Sequence, residues 1–155
     1  MSKPETTFVS SVHKYIPKRE IHKEGMANPY RGGTPDNYYD ATPWLGPESM
    51  KPEVQDLWVE YKFKPKIGLK LDLCNQASKP ALSSLQMKWI RRRYSAGKNM
   101  WVICGFPEGG IIMKTPEEWA RVWTKTEILA AMKSRREIAN CVINFVLCRS
   151  EKPSK

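Results

Sequence analysis

The segment Lys88-Trp89-Ile90-Arg91-Arg92-Arg93-Tyr94 places four cations among three large apolar side chains, and Lys98 extends the charge by one further turn. Cations interleaved with aromatics suit a polyanion. Arginines clamp phosphates while a neighbouring Trp89 or Tyr94 offers a stacking face for a base. The same residues suit an anionic membrane, where each cation near the surface contributes about 1 kcal/mol. The plainest reading keeps Trp89 in the core and the arginines on a solvated face, with some of them complementing the helix dipole. A second patch, Lys62, Lys64 and Lys66, alternates with apolar residues along a stretch of strand character.

Other reactive groups show no arrangement for catalysis. His13 and His22 have no nucleophile in a triad or dyad setting. Glu117 and Glu118 are accounted for by a helix start, Asp56 and Glu60 by the exposed face of a strand, and Asp72 stands alone. Cys74, Cys104, Cys141 and Cys148 form no CxxC pair and read as buried free thiols. Gly32-Gly33 and Gly109-Gly110 match neither a phosphate loop nor a dinucleotide fingerprint. The expectation is therefore a binding protein, with no catalytic, metal or cofactor residue and no cofactor.

The charge is unevenly distributed. Residues 1–50 carry six Lys/Arg against six Asp/Glu, so the net charge of +10 comes from residues 51–155. Residues 1–52 are punctuated by Pro and Gly without a sustained period, which suggests a flexible arm. Its aromatics, Tyr38, Tyr39 and Trp44 foremost, would dock on another copy in a head-to-tail contact. Residues 53–150 read as the basic core domain and 151–155 as a frayed tail. The chain opens without the apolar stretch of a secretory leader, Ser2 stands where myristoylation needs a glycine, and no apolar run approaches the roughly 20 residues that span a bilayer.

From Leu57 to Leu73 apolar residues alternate, with a break at Pro65 that suggests a bent strand at a sheet edge. Leu82, Leu85, Trp89 and Ile90 recur at helical spacing up to Gly97, a C-cap signal. Met100 to Phe106 reads as a buried strand, Pro107-Glu108-Gly109-Gly110 as a turn, and Ile111 to Lys114 as the hairpin partner. Thr115-Pro116-Glu117-Glu118 is a capping box opening one long helix or two short ones. Cys141 to Cys148, rich in β-branched residues, reads as a central strand. The order β-α-β-β-α-β predicts a single small α+β domain, with a mainly antiparallel sheet and two helices behind the flexible arm.

Between Asn75 and Gly105 the chain resembles the rhabdovirus matrix proteins. The resemblance covers about 30 residues: the polar turn ending at Pro80, the helix with Trp89 and Tyr94, Ala96-Gly97-Lys98, and the strand Trp101-Val102-Ile103-Cys104-Gly105. The arm departs from that family in lacking a Pro-Pro-x-Tyr motif, of which Asn28-Pro29-Tyr30 is only a fragment, and a dense lysine run. The chain is also short for the family. The resemblance implies a virion protein that self-associates without limit, condenses the ribonucleocapsid through the viral nucleoprotein, and binds peripherally at the inner membrane face in host cytoplasm. The alternative is an RNA- or single-strand-binding α+β protein of split βαβ type. Against it, Ile111-Ile112-Met113-Lys114 lacks the aromatics such a domain places on its third strand.

Overall fold

The computed structural model describes residues 3–26, 35–75, 77 and 79–150. Asn28-Pro29-Tyr30, Gly32-Gly33 and the tail 151–155 lie outside the described residues. The chain runs α1 (Pro4–His13), β1 (Ile21–Gly25), β2 (Asn37–Ala41), a single 3-10 turn (Glu48–Met50), β3 (Leu57–Phe63), β4 (Lys70–Leu71) and α2 (Ser84–Ser95). It continues β5 (Met100–Gly105), β6 (Gly110–Met113), α3 (Pro116–Ala120), β7 (Trp123–Thr124), α4 (Lys125–Ala131) and α5 (Arg135–Val146). The result is one small α+β domain with a mainly antiparallel sheet, as expected, but with five α-helices among the described residues where two were predicted.

The main sheet has the order β1-β2-β3-β5-β6, and β4 pairs with β7 in a separate two-stranded ribbon. β3 and β5 are parallel and the other neighbours in the main sheet antiparallel. A parallel pair needs a long crossover, which β4 and α2 supply. β3 is thus central, flanked by β2 and β5, where an edge strand was predicted. Pro65 lies beyond the last paired residue, so it costs no ladder bond.

The sheet separates two cores. Val59 and Tyr61 of β3 face a layer made with Phe8, Val12, Ile138 and Val142 of α1 and α5. Met100, Val102 and Cys104 of β5 face the opposite layer, with Met87, Ile90, Trp119 and Ile128 beneath α2, α3 and α4. Residue 52 is therefore not where packing begins. Phe8, Val12, Ile16, Ile21 and Tyr39 are buried, so α1, β1 and β2 belong to the same body as β3 and the later elements. Within the first 54 residues the exposed apolar side chains lie chiefly between Trp44 and Val54.

Cys141 to Cys148 is not a strand. Ile138, Ala139, Val142, Ile143 and Val146 recur at i, i+3 and i+4 on the buried side of α5, and the helix opens with a Ser134–Glu137 capping box. Tertiary burial of that stripe outweighs the modest helix cost of its β-branched residues. Cys148, with φ 49°, follows the helix end and is exposed, whereas Cys104 and Cys141 are buried thiols.

Candidate active site

Glu60 and Lys62 are two residues apart on β3 and so project from the same face of the sheet. Glu60 is fully buried (0 % exposed), although the sequence pattern assigned it to a solvated face. Lys62 Nζ lies 2.6 Å from its Oε1. Gln86, in the first turn of α2, donates from Nε2 to the same Oε1 at 2.5 Å. Glu60 Oε2 is buried with no hydrogen-bond partner.

Asp36 enters from the neighbouring strand. It immediately precedes β2, whose Asn37 pairs with Val59, so the register sets Asp36 beside Glu60 and Tyr61. The Tyr61 backbone N–H donates to Asp36 Oδ2 at 3.2 Å. Pro35 is buried behind it. Glu5, in the first turn of α1, completes a set of acids around Lys62.

The electrostatics are those of carboxylates crowded out of water. Burial and then the Asp36 charge push Glu60 up from 4.5 to about 7, against the opposing pull of Lys62. Burial likewise raises Asp36 and Glu5 despite Lys62. For Lys62, burial alone would lower the pKa, but Glu60, Asp36 and Glu5 outweigh it and hold the ammonium charged. One lysine among three carboxyls, with the buried Glu60 Oε2 bare, leaves this cluster short of positive charge.

A hard cation fits that deficit. Among the described residues no three His, Cys, Asp or Glu side chains converge as a complete metal set. Asp36 and Glu60 still supply two carboxylates, the usual protein share for Mg²⁺, whose other positions are filled by waters and substrate phosphates. The orphaned Glu60 Oε2 is the oxygen such an ion would take.

Two features of the surroundings bear on substrate. The carboxyl ends of the parallel pair β3 and β5 lead past Lys62 to Lys64, whose backbone N–H donates to the Gly105 carbonyl at 2.9 Å. Beyond them opens a cleft of about 610 Å³ lined by Lys64, Lys66, Lys70, Asp72 and Phe106. On the other flank Tyr38, Trp58 and Trp89 stand in a row, with ring centroids 4.7 and 5.7 Å apart and Arg93 5.0 Å over Trp89.

The predicted basic residues therefore divide. Lys62 belongs to the buried cluster, and Lys64 and Lys66 line the cleft. Lys88, Arg91, Arg92 and Lys98 are exposed on or just after α2. Successive helical residues point about 100° apart, so Arg91-Arg92-Arg93 is not one patch. Arg93 stacks on Trp89, whereas Arg91 lies towards Cys74, whose thiol is raised by burial and Asp72 against the opposing Arg91 charge. Tyr39 is buried, its hydroxyl within 2.8 Å of Tyr61 and 2.7 Å of His13 Nε2, inside its own chain rather than on another copy. Tyr38 packs on Trp58. Trp44 is 43 % exposed and bonds the Pro47 carbonyl.

Asp36, Glu60, Glu5 and Gln86 were not expected from sequence as site residues. The available signal was the pair Pro35-Asp36 followed by Glu60-Tyr61-Lys62, an acid and a base at strand spacing.

No family model and no curated protein sequence matches this chain. Its structure is similar to that of Hjc, a Holliday junction resolvase from the archaeal hyperthermophile Archaeoglobus fulgidus. The TM-score is 0.47 at 14% identity, over 87% of this chain and 99% of that one. The rhabdovirus matrix resemblance finds no support: no family model and no curated protein sequence backs a matrix assignment. With it go the matrix role and the nucleoprotein and membrane partners; of the three aromatics expected to dock on another copy, Tyr39 is buried. Against the expectation of no catalytic arrangement, the structure brings Asp36, Glu60 and Lys62 together in one buried cluster. The RNA- or single-strand-binding alternative is not supported either, since five strands ordered β1-β2-β3-β5-β6 are not a split βαβ sheet. No helix among the described residues is long and apolar enough to cross a membrane.

Proposed function

We propose that this chain is a divalent-metal-dependent phosphodiesterase that cleaves the backbone of a nucleic acid. The observation that carries the reading is the buried cluster of Asp36, Glu60 and Lys62 at the carboxyl end of a parallel strand pair, with one carboxylate oxygen left bare. Crowding carboxylates is costly unless a cation resolves it, and such perturbed groups concentrate at functional sites. The net charge of +10 and the lysine-lined cleft suit a polyanionic substrate.

Asp36 and Glu60 would hold the ion, and Glu5 would add negative charge at its rim. When bound, a divalent cation supplies Lewis-acid polarisation of a phosphoryl oxygen and lowers the pKa of water. Lys62 presents a fixed ammonium where negative charge grows on the phosphoryl oxygens. A preorganised charge in a dry site is worth far more there than in water. Lys64, Lys66 and Lys70 would track the strand running away from the scissile phosphate.

The test is incubation with linear duplex and branched DNA in Mg²⁺, Mn²⁺ or EDTA. Metal-dependent cleavage that Asp36→Asn, Glu60→Gln and Lys62→Met each reduce at least a hundredfold supports the reading. Cleavage that persists in EDTA, or that Glu60→Gln leaves intact, overturns it, as does a wild-type chain inert on both substrates with either metal.

A further inference from the structure

We infer that Gln86 is a positioning residue that turns Glu60 so that Oε2, and not Oε1, faces the metal. The inference rests on the metal-site reading of Asp36 and Glu60 and deepens it. Its basis is an asymmetry: both donors at Glu60, Lys62 Nζ at 2.6 Å and Gln86 Nε2 at 2.5 Å, converge on Oε1, and Oε2 receives none. A carboxylate held at one oxygen and bare at the other presents a single oriented ligand atom. Partners that orient a ligating carboxylate typically govern metal affinity by ten- to a hundredfold.

Gln86 is itself held. Its Oε1 accepts the Ser83 backbone N–H at 3.1 Å, while its own backbone N–H donates to Ser83 Oγ at 3.2 Å, the reciprocal bonds of a capping box. The amide orientation follows from chemistry. Reversed, it would set its oxygen against a carboxylate and its NH₂ against an N–H, losing both bonds. The helix start therefore fixes the amide, the amide fixes the carboxylate, and α2 is tied to the site through one side chain. Gln at this capping position does what Glu, the commoner partner in such a box, would not: it offers a donor to an acid.

Two variants separate positioning from helix stability. Gln86→Met keeps length and bulk but removes both the donor to Glu60 and the acceptor of the Ser83 N–H, whereas Ser83→Ala weakens the cap alone and leaves the bond to Glu60 in place, so it controls for the lost cap. The readout is Mn²⁺ affinity of the full chain by titration calorimetry, together with the metal dependence of cleavage. Gln86→Met is expected to weaken Mn²⁺ binding at least tenfold and to raise the metal concentration needed for cleavage. The rate at saturating metal should return to within a few-fold of wild type. Ser83→Ala should lower the melting temperature with Mn²⁺ affinity within twofold of wild type. If Asp36→Asn abolishes Mn²⁺ binding but Gln86→Met leaves it within twofold, the inference fails and the site reading stands. If wild type binds no Mn²⁺, or Asp36→Asn binds it as well as wild type, the site reading fails and takes the inference with it.

Discussion

Replacing Glu60 with Gln should make the metal-free protein more stable at neutral and alkaline pH, although it destroys the site. In the folded chain Glu60 titrates at about 7 rather than 4.5. Between those values the native state holds a proton that the unfolded chain has released, so stability falls as pH rises through the window. At about 1.4 kcal/mol per tenfold change in proton affinity, the loss is about 3 kcal/mol once Glu60 is fully ionised. Glutamine resembles the protonated acid and escapes the loss. The wild-type curve alone would hide this, because His13 opposes it. Burial, aided by Lys23, depresses His13 from 6.5 to about 4, so its contribution is present above 6.5 and lost as pH falls through 4. The two slopes run in opposite directions over nearly the same range. Asp36 and Glu5, also raised, are common to both proteins and largely drop out of the difference. Urea unfolding followed by tryptophan fluorescence in EDTA, from pH 4 to 8, should show Glu60→Gln near wild type at pH 4. The variant should then pull ahead by about 3 kcal/mol at pH 8. A difference that stays constant across pH would refute the reasoning, since it would mean Glu60 titrates alike in both states. Added Mg²⁺ should narrow or reverse the gap, because only the wild type keeps both carboxylates for the native state to bind it.

Replacing Lys64, Lys66 and Lys70 together by Ala should flatten the dependence of DNA binding on salt, measured in EDTA to prevent cleavage. Each lost phosphate contact removes about 0.9 from the slope of log K against log salt, so a drop of about 2 to 3 is expected, and an unchanged slope would move the DNA off the cleft. Phe8→Ala should cost about 3–5 kcal/mol in urea unfolding, because Phe8 is 2 % exposed and packs edge-on to Tyr61 with ring centroids 6.3 Å apart. Its ring also fills the space beside Gly105, where an added Cβ would lie 2.6 Å from ring atoms. A loss under 1 kcal/mol would show that α1 is not part of the core.

Local chemistry was legible wherever neighbouring residues settle it. Thr115 and Glu118 form the expected capping box, Gly97 takes the left-handed conformation (φ 81°) after α2, and Pro107 to Gly110 turns β5 into β6. The break near Pro65 also appears, with β3 ending at Phe63. Ser134 and Glu137 form a box of the same kind before α5, a signal left unread because the β-branched run after it pointed to a strand. The elements before residue 52 were obscured because Pro and Gly punctuation hid short segments whose apolar residues are few. Phe8, Val12, Ile16 and Ile21 become a core only when α1 and β1 are laid against α5 and the sheet.

The site was harder to read for a related reason. The residues themselves specify that Glu60 and Lys62 share a face, because strand side chains repeat every two residues. They also specify a net charge of +10, which favours polyanions over neutral or cationic partners. The sequence does not say whether that shared face is wet or dry. Only the crossover that makes β3 a central strand, and the packing of α2 above it, bury Glu60, bring Gln86 to one of its oxygens and set Asp36 beside it across the β2 register. Burial turns a surface acid into a group that titrates near neutrality, since the loss of water costs a carboxylate far more than a single lysine returns.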